Sequence, residues 1–300
     1  MKKITIITDS CSDLNNELRN NYDIEYLEMR VLYDGKDMPA SLDWEYMPAK
    51  EFYDAMRNGT RFKTAQVNME VYLEKFEEEI KKGNDVLSIS CSSALSSSYY
   101  GSIRACEELK EKYPDAKIYC VDSRNSSLGL GLMCIDASIM RSEGKTIEEI
   151  VEYLEKHKQE VNQVATVEDL NYLKRAGRVT AASAVFGSIL KIKPIIISDT
   201  LGQNVAIKKV RGRLTSLKTI VEMFVENYTN EDKKMIGISH ADCLDDALEL
   251  KNMIIEAVPA AKDIEFLIEY IGPIVGASVG PGTVSVYFYG KEVTFCSTEK

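Results

Sequence analysis

Six serines crowd one short stretch of the chain: Ser90, Ser92, Ser93, Ser96, Ser97 and Ser98. They lie between an apolar strand-like run and the start of an amphipathic helical run. Backbone N–H groups left free at a helix start, together with the helix dipole, favour an anion at such a junction. Serine hydroxyls add donors with little bulk. The same residues could simply cap a helix and fill a tight turn, and spacing alone weighs the two roles equally. A second group, Lys208, Lys209, Arg211, Arg213 and Lys218, forms a basic run. Such a run is usually a solvated face, and it could otherwise receive a phosphate or an acidic partner.

Other patterns carry less chemistry than they first suggest. Gly276-Ala277-Ser278-Val279-Gly280 matches the G-x-S-x-G elbow of serine hydrolases, which needs a strand before it and a helix after it. Here Pro281-Gly282 and a strand-like run follow, so a glycine-rich turn beside a ligand or a domain interface is the expected form. A nucleophilic serine also needs a base, and only His157 and His240 are available. Gly129-Leu130-Gly131 lacks the third glycine of a dinucleotide fingerprint. Its apolar helical setting predicts close helix packing instead. With two histidines and no CxxC among seven cysteines, no metal or cofactor is expected.

The elements that would position these residues follow a recognisable alternation. Apolar runs at Lys3–Ile7, Asp85–Ile89 and Lys117–Val121 each end in hydroxyl or acidic residues, and each precedes a helical pattern. Short apolar strands separated by helices imply a parallel sheet covered on both faces, and ligands of such sheets bind at the carboxyl ends of the strands. Helices are predicted at Ser96–Lys112 and at Ile147–Val161, the latter opened by a Thr146/Glu149 capping box. Beyond residue 163 the pattern changes. Strands are expected at Gln163–Val167, Lys193–Ile197 and Met235–Ser239, and helices at Ala181–Leu190 and Leu244–Ala257. Thr283–Phe295 reads as a hairpin turning at Gly290-Lys291. The fold class is α/β in two domains. Residues 1–162 form an N-terminal parallel-sheet domain and residues 163–300 a C-terminal domain with a mixed or antiparallel sheet.

The formal net charge is −10 and the pI about 5.0. That sign disfavours nucleic acid and acidic membrane surfaces as partners. No window reaches the ~18 apolar residues of a membrane span, and the start of the chain lacks a signal-peptide pattern. An odd cysteine count fits a reducing compartment, so a cytoplasmic protein is expected.

In order and spacing, several segments together resemble the DegV family of bacterial fatty-acid-binding proteins over nearly the whole chain. Ile7-Thr8-Asp9-Ser10 with Asp13-Leu14 is similar to its TDS…DL signature. Lys63-Thr64-Ala65-Gln66-Val67 resembles its T-S-Q-P segment, with Ala and Val replacing Ser and Pro. Ser92-Ser93-Ala94-Leu95-Ser96-Ser97-Ser98-Tyr99 resembles its SSxLSGTY box. Glu168-Asp169-Leu170 to Lys174-Arg175-Ala176-Gly177-Arg178 resembles its E-x-L…GGR stretch. Lys193-Pro194-Ile195, Lys209-Val210-Arg211, and Gly272-Pro273 through Gly280-Pro281-Gly282 are similar to its KPI, K-V-R and closing G-P…G-P-G segments.

That resemblance implies a fatty acid lying between two α/β domains. It implies that hydroxyls of Thr64 and Ser93, with Ser92 as neighbour, hold the carboxylate, and that Arg178 supplies positive charge. Ser278 is expected at the carboxylate as well; it stands where the family commonly has a histidine, which removes a titratable group beside the head group. Phe186, Ile189, Leu190 and Ile274 are candidates for the acyl tunnel. The best-understood family members are binding subunits of fatty acid kinase, which present the acyl carboxylate to an ATP-using partner. By that analogy Arg211 or Arg213 faces a kinase partner, and the chain is a carrier rather than a catalyst. The alternatives are a serine hydrolase or phosphotransferase, and a lipid sensor with no kinase.

Overall fold

The computed structural model describes residues 3–180, 192–229 and 234–298. Among them, β1 (Ile4–Asp9) and β6 (Asp85–Ser90) are buried at every position. An unbroken buried run needs cover on both faces, which a parallel sheet flanked by helices provides. With β2 (Ile24–Leu27) and β7 (Ile118–Asp122) they form a four-stranded parallel sheet in the order β2-β1-β6-β7. Helices α3 (Met69–Lys81) and α4 (Ser98–Lys112) pack on each other and on β6 and β7. Helix α6 (Ile147–His157) covers β7 from its own side, and α1 (Asn16–Tyr22) adjoins β2. The predicted Thr146/Glu149 capping box is present at the start of α6. Between β2 and α3 lie a small antiparallel sheet and a helix. The sheet comprises β3 (Arg30–Tyr33), β4 (Lys36–Pro39) and β5 (Lys63–Ala65), and the helix is α2 (Ala49–Arg57).

The second sheet has six strands in the order β10-β9-β8-β13-β11-β12. They are β8 (Val161–Thr166), β9 (Ile192–Ser198), β10 (Asn204–Arg211), β11 (Ile236–His240), β12 (Phe266–Tyr270) and β13 (Val284–Tyr289). Only β11 and β12 run parallel. The short helix α7 (Asn171–Ala176) follows β8. Helices α8 (Arg213–Asn227) and α9 (Leu244–Ala257) pack side by side on one face, and α10 (Pro273–Val279) precedes β13.

Helix α5 (Leu128–Ser142) joins the two sheets. It contacts β1, β2 and β6 of the first sheet and β8, β11 and β13 of the second. Residues Leu128 to Ser138 are all buried, as a helix apolar on every side must be. This explains its glycines. A Cβ on Gly129 would meet Asn125 Oδ1 at 2.6 Å, and one on Gly131 would meet the Ser12 carbonyl at 2.8 Å. The glycines are there for close packing, as their apolar setting predicts.

Two expectations change. The Thr283–Phe295 hairpin does not form: β13 ends at Tyr289, and no strand follows among residues 290–298. Both flanks of β13 are already taken by β8 and β11, so the chain instead ties itself to Asn227 and Gln159 through the Lys291 and Val293 N–H groups. The Ile147–Val161 helix stops at His157, and Val161 already belongs to β8. The strand that opens the second sheet therefore takes in residues 161 and 162, which the sequence places in the first half. The predicted helix at 181–190 lies outside the described residues.

Candidate functional site

Where α10 and β13 meet the loops of the first sheet, a cavity of about 140 Å³ opens. It adjoins a second of about 520 Å³, and the two share Thr64, Arg178 and Ser278. These three residues therefore mark an outer end, where Arg61, Lys63 and Arg175 also stand. Ile274, Val275, Val167, Leu173 and Ile196 form an apolar wall.

Each outer residue is placed by a local device. Thr64 sits on β5, held in register by β3. Helix α7 ends at Gly177 in the left-handed region (φ +66), which glycine adopts without strain. That turn sends Arg178 back toward the first sheet. There its Nε donates to the Leu95 carbonyl at 2.7 Å and its Nη1 to the Ala176 carbonyl at 2.6 Å. The guanidinium is thus fixed between α7 and the serine-rich loop. Ser278 lies in the last turn of α10, and its Oγ reaches the Ile274 carbonyl at 3.5 Å. The predicted glycine-rich turn at 276–280 is therefore helical up to Val279, because Pro273 occupies the first helical position, where its missing N–H costs nothing. Ser278 is no elbow nucleophile: it sits inside a helix, and neither His157 nor His240 lines the cavity.

The serine cluster divides. Ser92 and Ser93 are not among the lining residues, whereas Ser96 and Ser97 are. Ser92 is fully buried and its Oγ donates to the Gly202 carbonyl at 2.9 Å. Ser93 gives both its N–H (3.0 Å) and its hydroxyl (2.5 Å) to the Asp122 carboxylate. Of the residues expected at the carboxylate, Ser92 and Ser93 thus have their hydroxyls committed to protein partners, while Thr64, Arg178 and Ser278 line the cavity, as does Ile274. Phe186, Ile189 and Leu190 lie outside the described residues. Arg211 ends β10 and is exposed. Arg213 opens α8 and pairs with Asp246 at 2.7 Å. Neither lines the cavity.

The acidic strand ends act as stays. Asp9 accepts the N–H groups of Cys11 (2.9 Å) and Cys91 (3.0 Å), which joins the loops after β1 and β6. Asp13, at φ +54, accepts the Gly272 N–H at 2.9 Å and the Ser127 hydroxyl. From Ser127 a run of hydroxyls passes through Ser239 and Ser285 to Tyr287, and the last two line the cavity. Burial pushes the Asp13 carboxyl up to about 7, against the lowering effect of its hydrogen bonds. Burial likewise raises Glu269 to about 7. Among the described residues no cluster of three or more His, Cys, Asp or Glu side chains could hold a metal, and no helix is long and apolar enough to cross a membrane.

Several lining residues escape a reading of the sequence. Ser96 and Ser97 belong to the serine cluster, but spacing could not separate them from Ser92 and Ser93. Gln66 was visible only as part of the Thr64 segment. Gln163 and Tyr287 meet through strand register, as paired positions of β8 and β13, and no local pattern signals that pairing.

The chain matches, over residues 3–291, the model of a family described as "Uncharacterised protein, DegV family". It is 40% identical over 290 residues to a DegV domain-containing protein of Clostridium perfringens, covering 97% of this chain and 98% of that protein. A DegV lipid-binding protein from Thermotoga maritima superposes with a TM-score of 0.83 at 26% identity, over 97% of this chain and 100% of that one. A fatty-acid-binding DegV family protein from Thermus thermophilus gives 0.83 at 26% identity, over 96% and 100%. Family model, sequence relatives and fold agree across almost the full length, and the chain belongs to the DegV family.

Proposed function

We propose that the chain binds a long-chain fatty acid between its two sheets and does no chemistry on it. The carboxylate lies at the outer end against Thr64, Ser96, Arg178 and Ser278, and the alkyl chain runs inward along Ile274 and Val275. One observation carries this reading: a cavity with an apolar wall has hydroxyl donors and a fixed guanidinium gathered at the end that opens outward. Related proteins whose structures superpose on this chain bind fatty acids, among them those of Thermus thermophilus and Bacillus subtilis. The division of labour is sound. Each buried methylene contributes about 0.8 kcal/mol, so affinity comes from the tail, while a few charge-assisted hydrogen bonds fix the head.

In this reading, residues 1–162 supply Thr64 and the serine loop, residues 163–300 supply Arg178 and α10, and the two behave as domains closing over the lipid. The protein presents the acyl carboxylate to a separate ATP-dependent kinase, with the exposed Arg211 on the docking face. Native mass spectrometry of protein purified from cells tests the first part: a co-purified fatty acid supports it, and a protein that neither carries nor takes up one ends it. Adding purified fatty acid kinase and ATP tests the second. Acyl phosphate formed only with this chain present supports a carrier, and its absence favours a lipid sensor.

A further inference from the structure

The inner end of the cavity is polar, and a saturated hydrocarbon tail does not explain it. Along β13 the lining runs from Thr283 to Ser285 to Tyr287. The Thr283 hydroxyl donates to the Val279 and Gly280 carbonyls, which follow Ser278 directly, so Thr283 marks the outer end. Tyr287 is four residues further along, about 13 Å away at ~3.3 Å per residue. Gln163 pairs with Tyr287 across the sheet, and so shares that depth. Asn204, two strands over, accepts a 3.0 Å hydrogen bond from Gln163 Nε2 and donates its own Nδ2 to the Arg178 carbonyl at 3.2 Å, so this group abuts the Arg178 backbone, whose guanidinium turns away to the Leu95 and Ala176 carbonyls. Ser126, on the loop after β7, completes the inner lining.

Two of these groups have spare capacity. Gln163 is 7% exposed and Ser126 is 6% exposed. Gln163 gives one end of its amide to Asn204, and its Oε1 has no partner among the described residues. The Ser126 hydroxyl has none either. Both side chains are more than nine-tenths buried and border the cavity. Methylenes packed there would leave an amide oxygen and a hydroxyl unpaired in a dry site. An oxygen function carried by the ligand would satisfy them.

We propose that the inner end, formed by Ser126 and Gln163 with Asn204 behind, is a hydrogen-bonding subsite for an oxygen substituent along the acyl chain, and that the protein selects hydroxylated long-chain acids. This rests on the fatty acid reading above and narrows its substrate class. A site built to pair a hydroxyl discriminates strongly against the analogue that lacks it, whereas an apolar pocket gains little from a hydroxyl.

Ricinoleic and oleic acid test it, because they differ by one mid-chain hydroxyl. Delipidated protein should bind ricinoleic acid at least about tenfold more tightly. Gln163→Leu and Ser126→Ala should each bring that ratio toward one. Should Gln163→Leu fail to fold, Ser126→Ala decides, since its hydroxyl has no protein partner to lose. Equal affinity, or tighter oleic acid, overturns the subsite and leaves fatty acid binding standing. Binding of neither acid overturns the fatty acid reading itself.

Discussion

The Ser127 hydroxyl donates to Asp13 Oδ2 at 2.5 Å, and this bond joins the loop after β1 to the start of α5 deep inside the protein. The Asp13 carboxyl is held at about 7, against 3.8 for the free group, chiefly by burial. The folded state therefore keeps a proton that the unfolded chain releases above about pH 4. Stability should fall as pH rises from there through about 7, by roughly 1.4 kcal/mol for every tenfold drop in proton concentration across that window. Glu269 moves in the same direction. Asp13→Asn can still accept the Gly272 N–H and donate to Ser127, and asparagine tolerates the left-handed backbone found there. Thermal melts at several pH values should show a shallower decline in the variant, with the remainder due to Glu269. Parallel curves for the two proteins would count against a titrating Asp13.

The divided serine cluster makes a separable prediction. Ser96→Ala should weaken fatty acid binding and also lower the melting temperature, because the Ser96 hydroxyl accepts the Ser98 N–H at 3.2 Å and bonds the Ser98 hydroxyl at 3.0 Å, whereas Thr64→Ala should weaken binding and leave the melting temperature nearly unchanged. Ser93→Ala should do the opposite, because it strips a hydrogen bond from the buried Asp122 carboxylate, a loss worth about 1–3 kcal/mol. Equilibrium titration with a fluorescent fatty acid, alongside calorimetry, checks all three. A Ser93→Ala protein that melts normally but loses lipid would return Ser93 to the head-group site.

That division shows where the sequence stops being legible. The capping box of α6, helix α9 and the buried strands β1 and β6 follow from near neighbours alone, so their patterns can be read directly. Non-local choices cannot. Nothing local tells that Ser92 faces Gly202, more than a hundred residues away, while Ser96 faces the cavity. The alternation in Val284–Tyr289 correctly signals a strand, but its partners β8 and β11 are distant in sequence, so the local pattern reads as a hairpin with the following residues. In the same way, the hydroxyl and acidic residues that end the first strands mark a ligand-binding edge, and the role of Asp9 in tying two loops together appears only once the loops meet.

Gly276 packs against the hydroxyl end of Tyr53: a Cβ at Gly276 would stand 2.5 Å from the Tyr53 hydroxyl, which itself donates to the Ile271 carbonyl. Tyr53 is fully buried and cannot swing clear. Gly276→Ala should therefore cost about 1–3 kcal/mol by overpacking and shift α10, with Ser278 and Ile274, so that lipid affinity falls as well. Combining it with Tyr53→Phe, which removes the clashing oxygen, should recover part of the packing loss. If chemical denaturation shows the double variant less stable than the sum of the two single changes, the contact has been misread.

Arg211 and Arg213 are two residues apart in one basic run, yet the structure gives them different work. Arg213 directs Nε and Nη2 at Asp246 Oδ2, at 3.0 and 2.7 Å, and so ties the start of α8 to the first turn of α9. A cation in the first turn of a helix is opposed by the helix dipole, so the ion pair offsets an unfavourable position. Arg213→Ala should lower stability by about 1 kcal/mol, as expected for a partly exposed pair. Arg211 is exposed at the end of β10, and Arg211→Ala should change stability by less than about 0.5 kcal/mol. Neither lines the cavity, so neither should change fatty acid affinity. The discriminating measurement is acyl phosphate formation with a fatty acid kinase and ATP. Arg211→Ala should slow it at unchanged lipid affinity, most visibly at low salt, where an exposed charge steers encounter most strongly. A variant that is slow only because it no longer holds lipid would move the basic run from the docking face to the binding site.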